Sequence, residues 1–150
     1  MTQQIALKRG RHSRVGQIYL VTFTTANRNP HFRNWETASF MAGLISSAEA
    51  WRRSQLLAWV LMPDHWHGLV QLGEHEDLSD CMRRLKGNTA RELRRSHPYL
   101  GRIWDPGFHD RAVRKDEDLR VVARYLAMNP VRAGLVERVG DYPYWDAVWV

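Results

Sequence analysis

The sequence predicts an α+β fold, and three features carry that prediction. Stretches with helical periodicity at 35–53 and 77–97 each lie between strand-like segments, and residues 56–72 hold two strand-like runs joined only by Pro63 and Asp64. A last amphipathic stretch then follows the final strand. The element order is β-α-β-β-α-β-α: the split βαβ, or ferredoxin-like, plan around a central antiparallel sheet, with an extra C-terminal helix.

The first strand is "QIYLVTFTT" (17–25), alternating and β-branched. "NRNPHF" breaks it. From Trp35 to Arg53 the apolar residues Phe40, Leu44, Ile45 and Ala48 recur at helical spacing. "LLAWVLM" (56–62) is an unbroken apolar run, the mark of a strand buried on both faces. Pro63 and Asp64 suit a tight turn into the next strand. In "DLSDCMRRLKGNTARELRRSH" (77–97), Leu78, Met82, Leu85 and Leu93 form an inward stripe, and Pro98 closes the helix. "IWDPGFHDRAVR" is interrupted at Pro106-Gly107 and resumes as a strand. Asp116 is the expected N-cap of the last helix, whose core stripe is Leu119, Val122, Ala123 and Leu126 and which Asn129-Pro130 ends.

The chain of 150 residues reads as a single domain over 1–150, with a basic N-terminal arm at 1–15. Its 44% hydrophobic content and seven tryptophans exclude a disordered chain. The net charge of +6, from 22 Lys and Arg against 16 Asp and Glu, suits an anionic partner, nucleic acid first. A lone cysteine, Cys81, excludes an intrachain disulfide and favours a reducing compartment. With no signal-like or membrane-length apolar run, a cytoplasmic protein free of membrane contact is expected. No patch reads as an obligate interface, so a monomer or weak homodimer is expected.

"LMPDHWHGLVQL" (61–72) carries the chemistry. Strand side chains alternate between faces, so His65 and His67 share one face with Leu69 and Gln71, while Trp66, Val70 and Leu72 point into a core. Spacing alone leaves two readings open: a pair of metal-ligating imidazoles, or two half-exposed surface histidines. In "YLAMN", Tyr125 and Asn129 stand four apart and so neighbour each other on a helix. Packed beside the hairpin, they bring a hydroxyl and an amide oxygen to the histidines. Mg²⁺ or Mn²⁺ accepts such mixed ligands and polarises a phosphate oxygen while a tyrosine attacks phosphorus. Taken singly, the tyrosine also reads as a core-edge residue and the asparagine as a cap.

"MPDHWHGLVQL", "RRLKGNTARELRR" and "YLAMNPVRAGLVERVGDYPYW", in this order, together with "GRHS" at 10–13, resemble the single-tyrosine transposases of the histidine-hydrophobic-histidine (HUH) class. Within that class they are similar to the REP-associated tyrosine transposases. The resemblance implies an HUH nuclease fold whose C-terminal helix carries the nucleophile. It implies His65 and His67 as metal ligands, Asn129 as the third, and Tyr125 forming a 5′-phosphotyrosine link. It also implies single-stranded DNA folded into REP-type hairpins as the substrate. The bulky Trp66 between the histidines and the terminal "YWDAVWV" depart from the family pattern.

For DNA contact the sequence offers the arm residues Arg9, Gly10, Arg11, His12 and Ser13, and the helix residues Arg83, Arg84, Lys86 and Arg91, whose alternative is a solvated face. Tyr142, Tyr144, Trp145 and Trp149 either stack on bases or pin the terminus. His109 and Asp110 are candidates to orient a ligand or a phosphate. Two rival functions stand beside transposition: a catalytically idle hairpin-DNA-binding regulator, and a metal hydrolase using an activated water.

Overall fold

The computed structural model describes residues 16–150, so Arg9, Gly10, Arg11, His12 and Ser13 lie outside the described residues. Among the described residues, five strands form one sheet: β1 (Ile18–Thr24), β2 (Gln55–Met62), β3 (His65–Gln71), β4 (His109–Ala112) and β5 (Trp145–Ala147). Their order is β4-β1-β3-β2-β5, with every neighbouring pair antiparallel. The first four run 4-1-3-2, the split βαβ arrangement expected from the element order. β5 was not expected. It is only three residues long, too short for alternation to register, and it pairs with the outer edge of β2.

Among the described residues four α-helices accompany the sheet: α1 (Trp35–Ile45), α2 (Leu78–Ser96), α3 (Leu119–Ala127) and the single turn α4 (Asn129–Arg132). α1 and α2 cover the sheet face that carries Tyr19, Val21, Phe23, Trp59, Leu61, Trp66 and Val70. On the opposite face Ala123 and Leu126 of α3 pack with Leu57, Ala58, Val60, Met62 and Leu69. β2 is therefore covered on both sides, which is why it reads as a continuous apolar run.

α2 matches its expected stripe, with Leu78, Met82, Leu85 and Leu93 all buried and the Asp77 carboxylate accepting the Asp80 N–H at 2.7 Å. α1 departs from expectation. It ends at Ile45, not Arg53, because Ser46 turns its hydroxyl back onto the Ala42 carbonyl at 2.7 Å. Ser47 then caps a separate 3-10 turn at Ala48–Trp51. The inward residues are Thr37, Ala38, Met41 and Ile45, while Phe40 stays 37% exposed and meets His97 edge-on. The N-cap of α3 is Asp118, accepting from Arg120 N at 2.9 Å, and not Asp116, which pairs with Arg114 at 3.3 Å. The helix also stops sooner than expected. Asn129 begins α4, with Pro130 in its first turn, where a missing N–H costs nothing.

Trp66 is fully buried, stacked on Phe23 at 4.9 Å between ring centroids, and Phe23 meets Trp104 edge-on at 4.7 Å. Gly68, the next residue on that strand face, leaves the indole its space: a Cβ there would stand 2.0 Å from the Trp66 ring. The tryptophan between the histidines is thus a core residue pointing away from them, as the alternation predicts. Among the described residues, no helix is long and apolar enough to cross a membrane.

Candidate active site on the histidine face of the sheet

Strand pairing places His67 between Thr22 of β1 and Val60 of β2, and His65 between Thr24 and Met62. All these residues lie on the α3 side of the sheet. The two imidazoles are 4.7 Å apart between centroids and nearly perpendicular, at 82°. Each ring is held by its Nδ1. His65 Nδ1 is 2.7 Å from Asp64 Oδ1, and His67 Nδ1 is 2.7 Å from Thr22 Oγ1. An ionised carboxylate only accepts, so His65 donates from Nδ1, and in the neutral ring the lone pair then sits on Nε2. This is the outer-shell arrangement that orients ligating histidines.

The arrangement extends one residue further. Arg28 Nε donates to Asp64 Oδ2 at 3.0 Å, linking Arg28, Asp64 and His65. Arg28 and Asn27 both adopt φ of 55°, a left-handed geometry that costs a non-glycine residue about 1 kcal/mol or more. Burial alone would raise the Asp64 pKa, but the hydrogen bonds from His65 and Arg28, with their charges, outweigh it and hold the carboxyl below its usual range. His67 is pushed down to about 4, first by burial and then by His65, Arg132 and Arg28. It is therefore neutral near pH 7, the form that ligates a metal.

The His67 shift predicts a pH dependence of stability. The unfolded imidazole takes up a proton as pH falls below about 6.5, while the folded one resists until about 4. Stability then drops with pH across that window, by about 2 kcal/mol between pH 7 and pH 5. Urea unfolding of the metal-free protein at the two pH values measures it. In His67→Gln this part of the slope should vanish, and an unchanged slope would refute the assignment.

Tyr125 projects from α3 with 62% of its surface exposed. Arg132 of α4 clasps it: the guanidinium lies 3.7 Å from the ring centroid and donates to the Tyr125 carbonyl at 2.8 Å. The charge of the same Arg132 acts on His67, which sets tyrosine, arginine and histidine in one neighbourhood. Asn129 donates from its amide nitrogen to Leu126 O at 3.2 Å, so its side-chain oxygen takes no part in that bond. Tyr125 and Asn129 are four residues apart but sit on successive helices, because α3 ends at Ala127. Among the described residues no three His, Cys, Asp or Glu side chains group as a metal site, so a metal here would have to draw on the set expected from the sequence, two imidazoles and the Asn129 amide. Such a set fits a divalent ion that keeps open positions.

The other expected site residues are distributed differently. His109 faces Thr22 across β4–β1 and so shares the histidine face, two strands from His67. Asp110 pairs with Val21 and points to the opposite side. α2 also lies on that opposite side. There Arg83 pairs with Asp80, and Arg84 with the buried Glu76 and with Ala50 O. Lys86 donates to the carbonyls of Asp105 and Gly107, and Arg91 to Asn88 Oδ1 at 2.8 Å. At the terminus, Tyr142 donates its hydroxyl to Leu61 O and is buried, which pins this segment to the core. Sequence reading missed Thr22, Arg28 and Arg132, and took Asp64 only as a turn residue. A signal existed for Thr22: with Thr24 it interrupts the apolar side of a strand whose other side, Val21 and Phe23, is core.

Residues 14–129 match the family described as "Transposase IS200 like". The REP-associated tyrosine transposase of Escherichia coli (strain K12) is 33% identical over 94 residues, 62% of this chain but 54% of that protein, so the match spans about half of that relative's length. A Haemophilus influenzae protein assigned to the same class is 29% identical over 140 residues, covering 86% of this chain and 78% of its own. The solved structure of a REP-associated tyrosine transposase bound to a REP hairpin superposes with a TM-score of 0.72 at 27% identity, covering 90% of this chain and 79% of that one.

Proposed function

The chain belongs to the IS200-like transposase family, and from that premise we propose that it is a single-domain, metal-dependent strand transferase that cleaves and rejoins single-stranded DNA beside REP-type hairpins. The relative of similar fold that is bound to a REP hairpin supports the choice of substrate. One observation carries the chemistry: Tyr125 is 62% exposed beside Arg132, on the face where His65 and His67 are both held through Nδ1. A tyrosine serving only the core edge would be covered.

In the proposed reaction, Tyr125 Oη attacks phosphorus and forms the O–P bond, while the bond from phosphorus to the 3′ oxygen breaks. The phenolic proton ends on that 3′ oxygen, leaving a 5′-phosphotyrosine and a free 3′-hydroxyl. Attack by such a hydroxyl on the adduct reverses the step and joins strands. A Mg²⁺ or Mn²⁺ ion held by His65, His67 and Asn129 would supply charge that polarises the phosphate oxygens. Thr22, Asp64 and Arg28 keep the two rings in place for it. Arg132 steadies the nucleophile and offers positive charge to the incoming phosphate. Because α2 lies behind the sheet, Arg83 and Arg91 serve the hairpin stem and not the cleaved strand. The arm residues 9–13 read the nucleotides beside the hairpin.

Denaturing gel electrophoresis of protein mixed with labelled hairpin DNA and Mn²⁺ tests this reading. Wild type should give a covalent adduct. Tyr125→Phe should bind the same DNA within about twofold and give none, since only the hydroxyl is lost. A normal adduct yield from that variant removes Tyr125 as nucleophile. Binding without cleavage in the wild type indicates an idle binder, and cleavage without adduct indicates a hydrolase using water.

A further inference from the structure

Around α3, Arg120, Ala123, Arg124 and Ala127 recur at i, i+3, i+4 and i+7 and form one flank, whereas Tyr125 lies on the other. That first flank faces a groove of about 590 Å³, closed on its far side by Trp145 and Ala147 of β5 and by Trp149. The volume is in the range of small-ligand sites. Trp145 donates its indole N–H to Val139 O at 3.3 Å, which fixes the plane of its ring, and both tryptophans are half-buried with surface left toward the groove.

The charge of the rim is the second observation. Arg111, Arg114 and Arg138 each pair with a carboxylate, Glu117, Asp116 and Asp141 respectively. Arg120 and Arg124 are exposed and have no ion-pair partner among the described residues. Asp146, the acidic residue of β5, pairs across from Trp59 on the α2 side of the sheet, so the charged side chains lining the groove are Arg120 and Arg124. Indoles on one side of a groove and two unneutralised guanidinium groups on the other match a flat, π-bearing ligand linked to phosphate. The groove also lies on the same sheet face as Tyr125, one helix width, about 10 Å, across α3 from it. A strand leaving the nucleophile over α3 reaches it within a few nucleotides.

We propose that the groove between α3 and β5 holds unpaired bases of the DNA strand adjoining the cleaved phosphate, stacked on Trp145 and Trp149, with Arg120 and Arg124 on the backbone. The assignment rests on the DNA-processing reading above. It gives the terminal aromatic segment a ligand as well as a packing role, and makes the rim arginines contribute to affinity without touching the reacting atoms.

The test compares binding of the full chain to a blunt hairpin and to the same hairpin carrying a short single-stranded oligothymidylate extension. The extension should raise wild-type affinity about tenfold. The Arg120→Ser/Arg124→Ser double variant, which removes no core packing, should lose that gain and keep its affinity for the blunt hairpin. Its log–log salt slope on the extended DNA should fall by about 1.4, two contacts at about 0.7 each. Trp149→Ala should lose the gain as well. A gain that survives in the double variant, or an equal loss on both DNAs, overturns the proposal. A wild type that binds the hairpin but ignores the extension overturns the groove alone, whereas one that binds neither DNA overturns the DNA reading with it. Concentration-dependent dimerisation abolished by Trp149→Ala, with the extension gain intact, would give the groove to a second copy of the chain and likewise overturn it.

Discussion

Alanine at either His65 or His67 is expected to bring adduct formation below detection at any practical Mg²⁺ or Mn²⁺ concentration, while hairpin binding and folding persist. The two imidazoles supply both nitrogen donors of the proposed site, and their mutual geometry is set by separate anchors, Asp64 for one and Thr22 for the other. Water replaces a missing oxygen ligand readily but does not reproduce an oriented imidazole. Asn129→Ala should therefore be milder and partly rescued by excess Mn²⁺. Asp64→Asn removes an outer partner only and should weaken metal affinity by about 10–100-fold. Gel assays over a metal titration, with circular dichroism as a control for folding, separate these cases. Full cleavage by His67→Ala would end the metal mechanism, and equal loss in all four variants would mean that they act through stability.

Gly68→Ala should destabilise the fold by about 3 kcal/mol or more, the upper part of the range for overpacking a core. The added Cβ would lie 2.0 Å from the Trp66 ring, which is fully buried and stacked on Phe23, itself held by Trp104. All three rings are buried, so the strain has little outlet except movement of β3, and β3 carries both histidines. Chemical denaturation measures the loss. In the Trp66→Val background, where the obstructing ring is gone, the same Gly68→Ala change should cost much less than it does in the wild type. A Gly68→Ala protein as stable as wild type would show that the indole can move and is not the constraint described.

Much of the fold was legible because its signals are local. An unbroken apolar run marked β2, an alternating one marked β1, and a Pro-Asp turn marked the hairpin. The errors also have local causes. Ser46 diverts the end of α1 by a side-chain bond that periodicity does not see, and within α1 the sheet meets the stripe Thr37, Ala38, Met41 and Ile45, which leaves Phe40 and Leu44 at its margin. Asp116 and Asp118 are both of a capping residue type, and the structure selects Asp118, with Glu117 between them drawn to Arg111 of β4. β5 is too short to announce itself, and its place depends on a free edge of β2.

For the site, the alternation of strand side chains was sufficient to place His65 and His67 on one face and Trp66 on the other, because side-chain direction along a strand is a property of backbone geometry alone. The chain likewise carried Tyr125 and Asn129 at a spacing that brings them close, whether on one helix or across the break at Met128. What only the tertiary structure decided is what surrounds them. Thr22 meets His67 across 45 positions of sequence, Arg28 reaches Asp64 across 36, and α2 lies behind the sheet with its arginines while Arg132 and Arg28 lie in front. The reason is that a period shows which residues share a face but not which face, or which distant strand, comes to lie beside it. That choice is made by the 4-1-3-2 order of the sheet and the packing of helices on its two sides, through contacts that exist only once the whole sheet has formed.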